Sequence, residues 1–222
     1  MDHREFEELL RRGAGQLGLD LDGPAVQRLS LYFQELRRWS KKVNLIAKET
    51  SDEVIVEKHF IDSLALLMLV DERQDSLLDI GSGAGFPGLV CKIGRPQLVV
   101  SLVEPRLKRV SFLRQVIRLC DLKDITVQDC RLEEQVVLEN ESRFNCIVSR
   151  AVTDIPRFLA MCDRFCVKGS RVICMKGPRY RQELGEQPLC NKSWELTETH
   201  EYTLPFSQSS RVLLGFTCAV DE

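Results

Sequence analysis

Four glycines fall within the twelve residues "LLDIGSGAGFPG" (77–88), at the end of a short apolar run. A glycine-rich loop leaving a strand lets backbone N–H groups approach a ligand, because no Cβ stands in the way. Gly81, Gly83 and Gly85 have the spacing G-x-G-x-G, and Phe86 stands where the dinucleotide fingerprint G-x-G-x-x-G places its third glycine. Asp79, two residues ahead of Gly81, would face a pyrophosphate with like charge. It suits a cation, or a ligand offering amines and hydroxyls. Glu104 ends a second apolar run 23 residues after Gly81, where a carboxylate accepts hydrogen bonds from a ribose diol. That role is shared with NAD enzymes, so Glu104 discriminates only in company with Asp79 and the glycine spacing. S-adenosylmethionine meets all these demands: it has a sulfonium, an ammonium and a ribose diol, and no phosphate.

Two further groups of residues bear on the same ligand. "RLEE" (131–134) follows a third apolar run, a place where an adenine ring is contacted by backbone groups and a nearby acid; Glu133 equally suits a helix N-terminus. "HFIDS" places His59, Asp62 and Ser63 on one helix face. That face is either a polar cluster beside the ligand pocket or a patch joining the helical part to the sheet. No Cys/His or Ser/His/Asp dyad stands out, which is awkward for a hydrolase.

The elements that must position these residues follow from periodicity. Residues 4 to about 70 read as helix: Gly13, Gly15 and Gly18 loosen the end of a first helix, and "LDGPAVQRLSLYFQELRRW" begins a second. Asp22 is its expected N-cap, with Pro24 in the first turn. Val26, Leu29, Phe33, Leu36 and Val43 form its apolar face. A third helix starts near "TSDE", with Thr50 and Glu53 as a capping box, and runs through "VIVEKHFIDSLALLMLV". From residue 76 short apolar runs alternate with helical segments five times, the pattern of a doubly wound parallel α/β sheet. The glycine loop after the first run then lies at the carboxyl ends of the strands, with Pro87 in the first turn of the next helix. "WELTETHEYTL" and "SSRVLLGFTCAV" lack an intervening helix and read as an antiparallel hairpin closing the sheet edge. The expected organisation is a helical extension, 1–72, and a ligand-binding α/β domain, 73–222, packed as one unit.

Composition sets the class. The 222 residues are 44% apolar and 29% charged, as in an ordinary globular protein. No apolar stretch approaches the roughly 20 residues that span a bilayer, and the charged, helical N-terminus is not a signal peptide, so a cytoplasmic protein without a membrane partner is expected. Nine cysteines, at 91, 120, 130, 146, 162, 166, 174, 190 and 218, include no CxxC pair. They read as reduced thiols acting as small hydrophobes rather than as a disulfide framework or a metal site.

At this point a family becomes visible. "HFIDSLAL" (59–66), "LLDIGSGAGFPGL" (77–89), "RLKRVSFLRQV" (106–116), "CRLEE" (130–134) and "IVSRA" (147–151) occur in order. The chain resembles the bacterial small-subunit rRNA guanine-N7 methyltransferases, also called glucose-inhibited division protein B. The likeness runs from "NLIAK" near residue 44 to the end of the α/β region, and Asn44-Leu45-Ile46 departs from the family's N-L-T. It implies a class I S-adenosylmethionine-dependent methyltransferase fold: Rossmann-like, with a mostly parallel seven-stranded sheet, the C-terminal hairpin and the N-terminal helices. It also implies methylation of one guanine at N7 in the decoding-region loop of 16S rRNA. By the same likeness Gly81 and Phe86 contact the methyl donor, Leu132 and Glu133 its adenine, and Arg150 its remaining polar groups or the target.

Guanine N7 carries a lone pair and no proton, so its methylation needs no general base, and alignment of the reactants does most of the catalysis. Arg150 is the one candidate for a direct part. An RNA partner, 16S rRNA or the small subunit, needs a positive surface even though net charge is −2. Three clusters offer one: "RRWSKK" (37–42); Arg106, Lys108, Arg109, Arg114 and Arg118; and "KGPRYR" (176–181). Lys176, Arg179 and Arg181 rank first because they follow a strand's carboxyl end, and Tyr180 between two arginines could stack a flipped base. Nothing calls for an obligate dimer, and a monomer is expected. Three alternatives stay open: a methyltransferase of another substrate, an NAD(P)-dependent oxidoreductase and a non-catalytic RNA-binding protein.

Overall fold

In the computed structural model, residues 1–47, 49–70, 76–130, 144–150, 152–165, 167–184 and 193–219 are described. Helix α1 (His3–Gln16) runs on through Gly13 and Gly15, and the chain turns only at Gly18, whose φ is +72°. Gly13 therefore does not loosen the helix; it lies against Ile61. Helix α2 (Gly23–Ser40) is capped as expected, the Asp22 carboxylate accepting the Ala25 N–H at 2.7 Å. Its apolar face buries Val26, Leu29, Phe33 and Leu36, together with Tyr32.

The third helical stretch differs in two ways from its expectation. Ser51, not Thr50, caps α3 (Asp52–Ile55), because Thr50 turns its hydroxyl back to the Ala47 carbonyl. The stretch then widens into a π-helical segment, Val56–Ile61, before α4 (Asp62–Leu64) and a 3₁₀ turn, Ala65–Met68. Such wide turns recur at functional sites, and this one carries Glu57, Lys58 and His59.

The sheet has seven strands in the order β3-β2-β1-β4-β5-β7-β6. Strands β1 (Ser76–Ile80), β2 (Val99–Val103), β3 (Ile125–Gln128), β4 (Cys146–Arg150) and β5 (Arg171–Lys176) are parallel. Strands β6 (Trp194–Thr203) and β7 (Ser210–Cys218) form the antiparallel hairpin, and β7 pairs with β5. Helices α5 (Gly88–Gly94), α6 (Leu107–Leu119), α7 (Ile155–Cys162) and the short α8 (Tyr180–Leu184) follow β1, β2, β4 and β5. The helix expected after β3 lies outside the described residues.

The near-continuous apolar runs of the parallel strands are explained by burial on both faces. Leu77, Val100, Leu102 and Val148 point into one core with α1, α2, α5 and α6. Leu78, Val103, Ile147 and Val172 point into another with α7. The N-terminal helices are thus built into the core on one face of the sheet. Six cysteines (91, 120, 130, 146, 162 and 174) are free and buried, as expected of small hydrophobes. Cys218, at the end of β7 and only half-buried, is instead disulfide-bonded. No described helix is long and apolar enough to cross a membrane, and no described cluster of His, Cys, Asp or Glu could hold a metal ion.

Candidate functional site

Strand order reverses between β1 and β4, and the loops leaving those two strands meet: a Cβ on Gly81 would lie 2.6 Å from Val152. Ligands of open α/β sheets bind at this switch point. A cavity of about 940 Å³ opens there. Leu45, Gly81, Ser82, Gly83, Phe86 and Arg109 line one half; His59, Asp62, Arg150, Lys176, Tyr202 and Arg211 line the other.

The glycine half is built mainly from backbone. The N–H groups of Gly81 and Ser82 donate to the Val103 carbonyl at 2.9 and 3.0 Å, tying the loop to the neighbouring strand. Gly83 N–H donates to Glu104 at 3.0 Å, and the other Glu104 oxygen accepts the Arg106 N–H at 2.9 Å. Arg109 lies 3.7 Å from the same carboxylate and donates to the Asn44 carbonyl, bringing the Asn44-Leu45-Ile46 segment to the rim. The Tyr32 hydroxyl donates to the Ala84 carbonyl from helix α2.

Asp79 sits beneath this loop rather than on the cavity wall. One of its oxygens accepts the Gly88 N–H at 2.9 Å, and the other is buried without a partner. Burial raises its carboxyl to about 6, against the Gly88 bond, which pulls the other way. Two glycines of the loop do different work. At Gly85, with φ +99°, a Cβ would lie 2.8 Å from the Tyr32 hydroxyl and 2.9 Å from Leu89; at Gly83, with φ +60°, nothing comes nearer than 3.7 Å. Gly85 is closed by the protein itself, whereas at Gly83 a Cβ would make only ordinary contacts, with Arg109 and the Gly81 carbonyl.

The second half is built from side chains brought from afar. Phe86 stacks against Tyr32 on one side and His59 on the other, with ring centroids 5.5 and 5.0 Å away, and the Arg150 guanidinium lies 5.2 Å from its centre. Arg150 donates to the Lys58 carbonyl at 2.8 Å, approaches His59 Nδ1 at 3.1 Å and pairs with Asp62 at 3.5 Å. A guanidinium only donates, so Nδ1 is the acceptor and the His59 proton is on Nε2. Burial first, then the charges of Arg150 and Lys58, lower His59 to about 3 and keep the imidazole neutral. Asp62 also accepts the Tyr202 hydroxyl at 2.8 Å and lies 3.5 Å from Arg211 Nε. Glu57, one turn earlier, accepts the N–H groups of Phe206 and Ser207 at 2.6 and 2.7 Å, pinning the hairpin turn to the π-helical segment.

This site and fold can be set against known proteins. A family model described as rRNA small subunit methyltransferase G (GidB) matches residues 25–214. The chain belongs to this family. A protein named ribosomal RNA small subunit methyltransferase G from Desulfotalea psychrophila is 47% identical over 212 residues, 95% of this chain and 97% of its own. One of the same name from Geobacter sp. (strain M21) is 38% identical over 210 residues, 94% of this chain and 95% of its own. Among solved structures, M. jannaschii TYW2 in complex with AdoMet has a TM-score of 0.55 at 12% identity, covering 80% of this chain and 78% of its own. A mutant of MtNAS in complex with S-adenosylmethionine has 0.55 at 15%, covering 97% and 89%. These two likenesses concern the fold, and the expected class I methyltransferase architecture is the one observed.

As a member of the rRNA small subunit methyltransferase G family, the chain is a methyltransferase, and its expected site residues fall into four groups. Gly81, Gly83, Phe86, Arg109, Arg150 and Lys176 line the cavity. Asp79, Gly85 and Glu104 lie behind the wall and hold the loop. Leu132 and Glu133 fall outside the described residues. Arg179 and Arg181 are exposed beyond the end of β5 and do not line the main cavity. Lys176 is not a free cation: its ammonium is taken by the Thr153 carbonyl at 2.7 Å and Glu183 at 2.6 Å. Nor is the ring of Tyr180 free to stack a base, because it is 8% exposed and its hydroxyl is held by Glu201 at 2.7 Å.

Sequence reasoning missed Tyr32, Glu57, Tyr202 and Arg211. Tyr202 and Arg211 are direct cross-strand partners, so hairpin register would have paired them had the turn length been read. Tyr32 sits between two positions of the α2 apolar face and carried no separate signal.

Proposed function

We propose that this chain transfers the methyl group of S-adenosylmethionine to N7 of a guanine in the 16S rRNA of the small ribosomal subunit. The observation that carries the acceptor atom is the state of the ionisable groups on the described cavity wall. His59 has its Nδ1 occupied and its Nε2 protonated. Asp62 is shared between Tyr202 and two arginines, Asp154 accepts the Arg157 N–H, and Glu183 holds Lys176. Apart from the exposed Asp154, which caps a helix at the rim, each of these is already engaged inside the protein. That favours an acceptor with a bare lone pair over a hydroxyl or an exocyclic amine.

S-adenosylmethionine supplies a methyl group already activated on a sulfonium. Gly81, Gly83 and Phe86 bind it at the glycine half, where all three line the cavity. Glu104 braces Gly83 and, through its remaining lone pairs, takes ribose hydroxyls; Asp79 acts from beneath the loop by fixing Gly88. Leu132 and Glu133 take the adenine. Arg150, in the second half and packed on Phe86, orients the acceptor base, its charge compensated by Asp62. Arg109, Arg179 and Arg181 form the positive rim that RNA phosphates approach; Lys176, paired with Glu183, adds no free charge to it.

The test is mass mapping of N7-methylguanine in 16S rRNA from cells with and without this protein. One N7-methylguanine should disappear when the protein is removed and return with the purified chain and methyl donor. An unchanged map overturns the proposal.

A further inference from the structure

A second cavity, of about 320 Å³, lies on the hairpin side of the first. Its walls include Tyr180, Arg181, Ser210, Tyr202 and Arg211, and the last two also line the larger cavity. As cross-strand partners one pair short of the hairpin turn, Tyr202 and Arg211 form a partition between the two spaces. Building on the rRNA reading above, we propose that the smaller cavity is a subsite for a nucleotide adjoining the methylated guanine, with Arg211 and Arg181 receiving the RNA backbone.

Three observations support this assignment. The smaller space is at the low end of ligand cavities, the size for one base rather than a larger ligand. It continues from the half of the main cavity opposite the glycine loop, so a strand whose target base enters one space passes next over the other. Single-stranded RNA is recognised in this way, by splayed bases in successive pockets. Its charge also suits a polyanion. Glu201 is matched by Arg181 at 3.2 Å, and the single charge of Asp62 is shared by Arg150 and Arg211, each at 3.5 Å, which leaves one positive charge in excess. The Arg181 guanidinium is held in place by the Tyr180 hydroxyl at 3.1 Å as well, yet its side chain is 76% exposed. A third cavity, on the edge formed by α6 and β3, is also basic, with Arg114, Arg118 and Lys123, but shares no residue with the other two. Positive charge alone does not single out the hairpin cavity; its continuity with the acceptor half does.

The experiment uses the full chain, unmethylated small ribosomal subunits and a tritium-labelled methyl donor. Ser210 is exposed and lines only the smaller cavity, so Ser210→Trp fills that space and leaves the larger one unchanged. The expected result is a KM for the particle raised at least tenfold, with kcat within twofold and donor affinity by calorimetry unchanged. Arg181→Gln should raise KM several-fold and make the salt dependence of particle binding shallower by about 0.7 to 0.9 in log–log slope, as for one lost phosphate contact. Lys123→Gln, in the third cavity, should do neither. A Ser210→Trp chain that keeps donor affinity and has an unaltered KM overturns the subsite while leaving the methyltransferase reading intact. If Ser210→Trp loses donor affinity and so fails to fold, Arg181→Gln decides: an unchanged salt slope and KM overturn the proposal. If the unsubstituted chain methylates no guanine N7 in the particle or in free 16S rRNA, the proposed function falls and the subsite with it.

Discussion

The two halves of the cavity are made by opposite strategies. The glycine half is built around one stretch of chain, residues 81–88, with Leu45 and Arg109 at its rim, fastened by its own backbone to β2 and to Asp79 and Glu104 at the ends of adjacent strands. The opposite half is assembled from residues 57–62, 150, 202 and 211, which meet only once the whole sheet has formed and the hairpin has turned back. The glycine half is therefore tied directly to the core strands beneath it. The second depends on a few long-range polar ties at the end of a hairpin, the kind of region that opens locally before the core does. A site that holds a small donor tightly and an RNA acceptor transiently has a use for that asymmetry.

The sharpest way to break the comparison is at Gly85. Valine there would combine a left-handed backbone with overlap onto Tyr32 and Leu89. The expected cost is about 4 kcal/mol, from roughly 1–3 kcal/mol of strain and a similar amount of overpacking. Gly83→Val carries mainly the strain, about 2 kcal/mol, since its Cβ meets nothing nearer than 3.7 Å. Thermal unfolding should separate the two, and calorimetry should show that folded Gly83→Val has lost at least tenfold in donor affinity. Equal unfolding temperatures for the two variants would mean that Gly85 is not the buried keystone of the loop.

The corresponding cut in the other half is Glu57→Ala. It strips the acceptor from two backbone N–H groups of the hairpin turn, and a hydrogen bond to a charged group is worth about 1.5–3 kcal/mol net. We expect about 2 kcal/mol of destabilisation, donor affinity within twofold of the unsubstituted chain, and a several-fold higher KM for the ribosomal particle. Hydrogen exchange should quicken in β6 and the turn and stay unchanged in β1 and β2. Loss of donor affinity in this variant would show that the two halves are not independent.

The same asymmetry explains what could be read in the sequence. Strand–helix alternation, the glycine spacing and the family runs are local, so the sheet, its hairpin and the cavity-lining Gly81, Gly83 and Phe86 were legible. The N-cap at Ser51 and the π-helical turn were not, because each is decided by a choice among adjacent hydrogen-bond partners that periodicity does not register. Asp79 and Glu104 were found, but their side chains turn toward backbone N–H groups of the loop, a competition that residue type alone does not resolve. Tyr180 and Lys176 have the sequence context of free RNA-binding groups, yet both are consumed by nearby acids, Glu201 and Glu183. Tyr202 and Arg211 needed hairpin register, and Asp62 needed both of them before its role as their common anchor appeared.

The smallest net effect expected in the unsubstituted chain is one of pH, and it sets the two halves directly against each other. His59 is lowered to about 3 in the folded chain from an ordinary 6.5, so on acidification the unfolded chain gains a proton that the folded one refuses. Its contribution to stability is present above 6.5 and is lost as pH falls toward 3. Asp79 is raised to about 6 from 3.8, so the folded chain takes up a proton first, and stability rises as pH falls from 6 to 3.8. Between those limits the two nearly cancel, each amounting to a slope of about 1.4 kcal/mol per pH unit in opposite directions. Removing one should reveal the other. His59→Asn should grow more stable relative to the unsubstituted chain as pH is lowered from 6 to 4, and Asp79→Asn should grow less stable over the same range. Urea unfolding at half-unit pH steps measures both, and parallel curves for the two variants would mean that these groups are not held neutral by their half of the site.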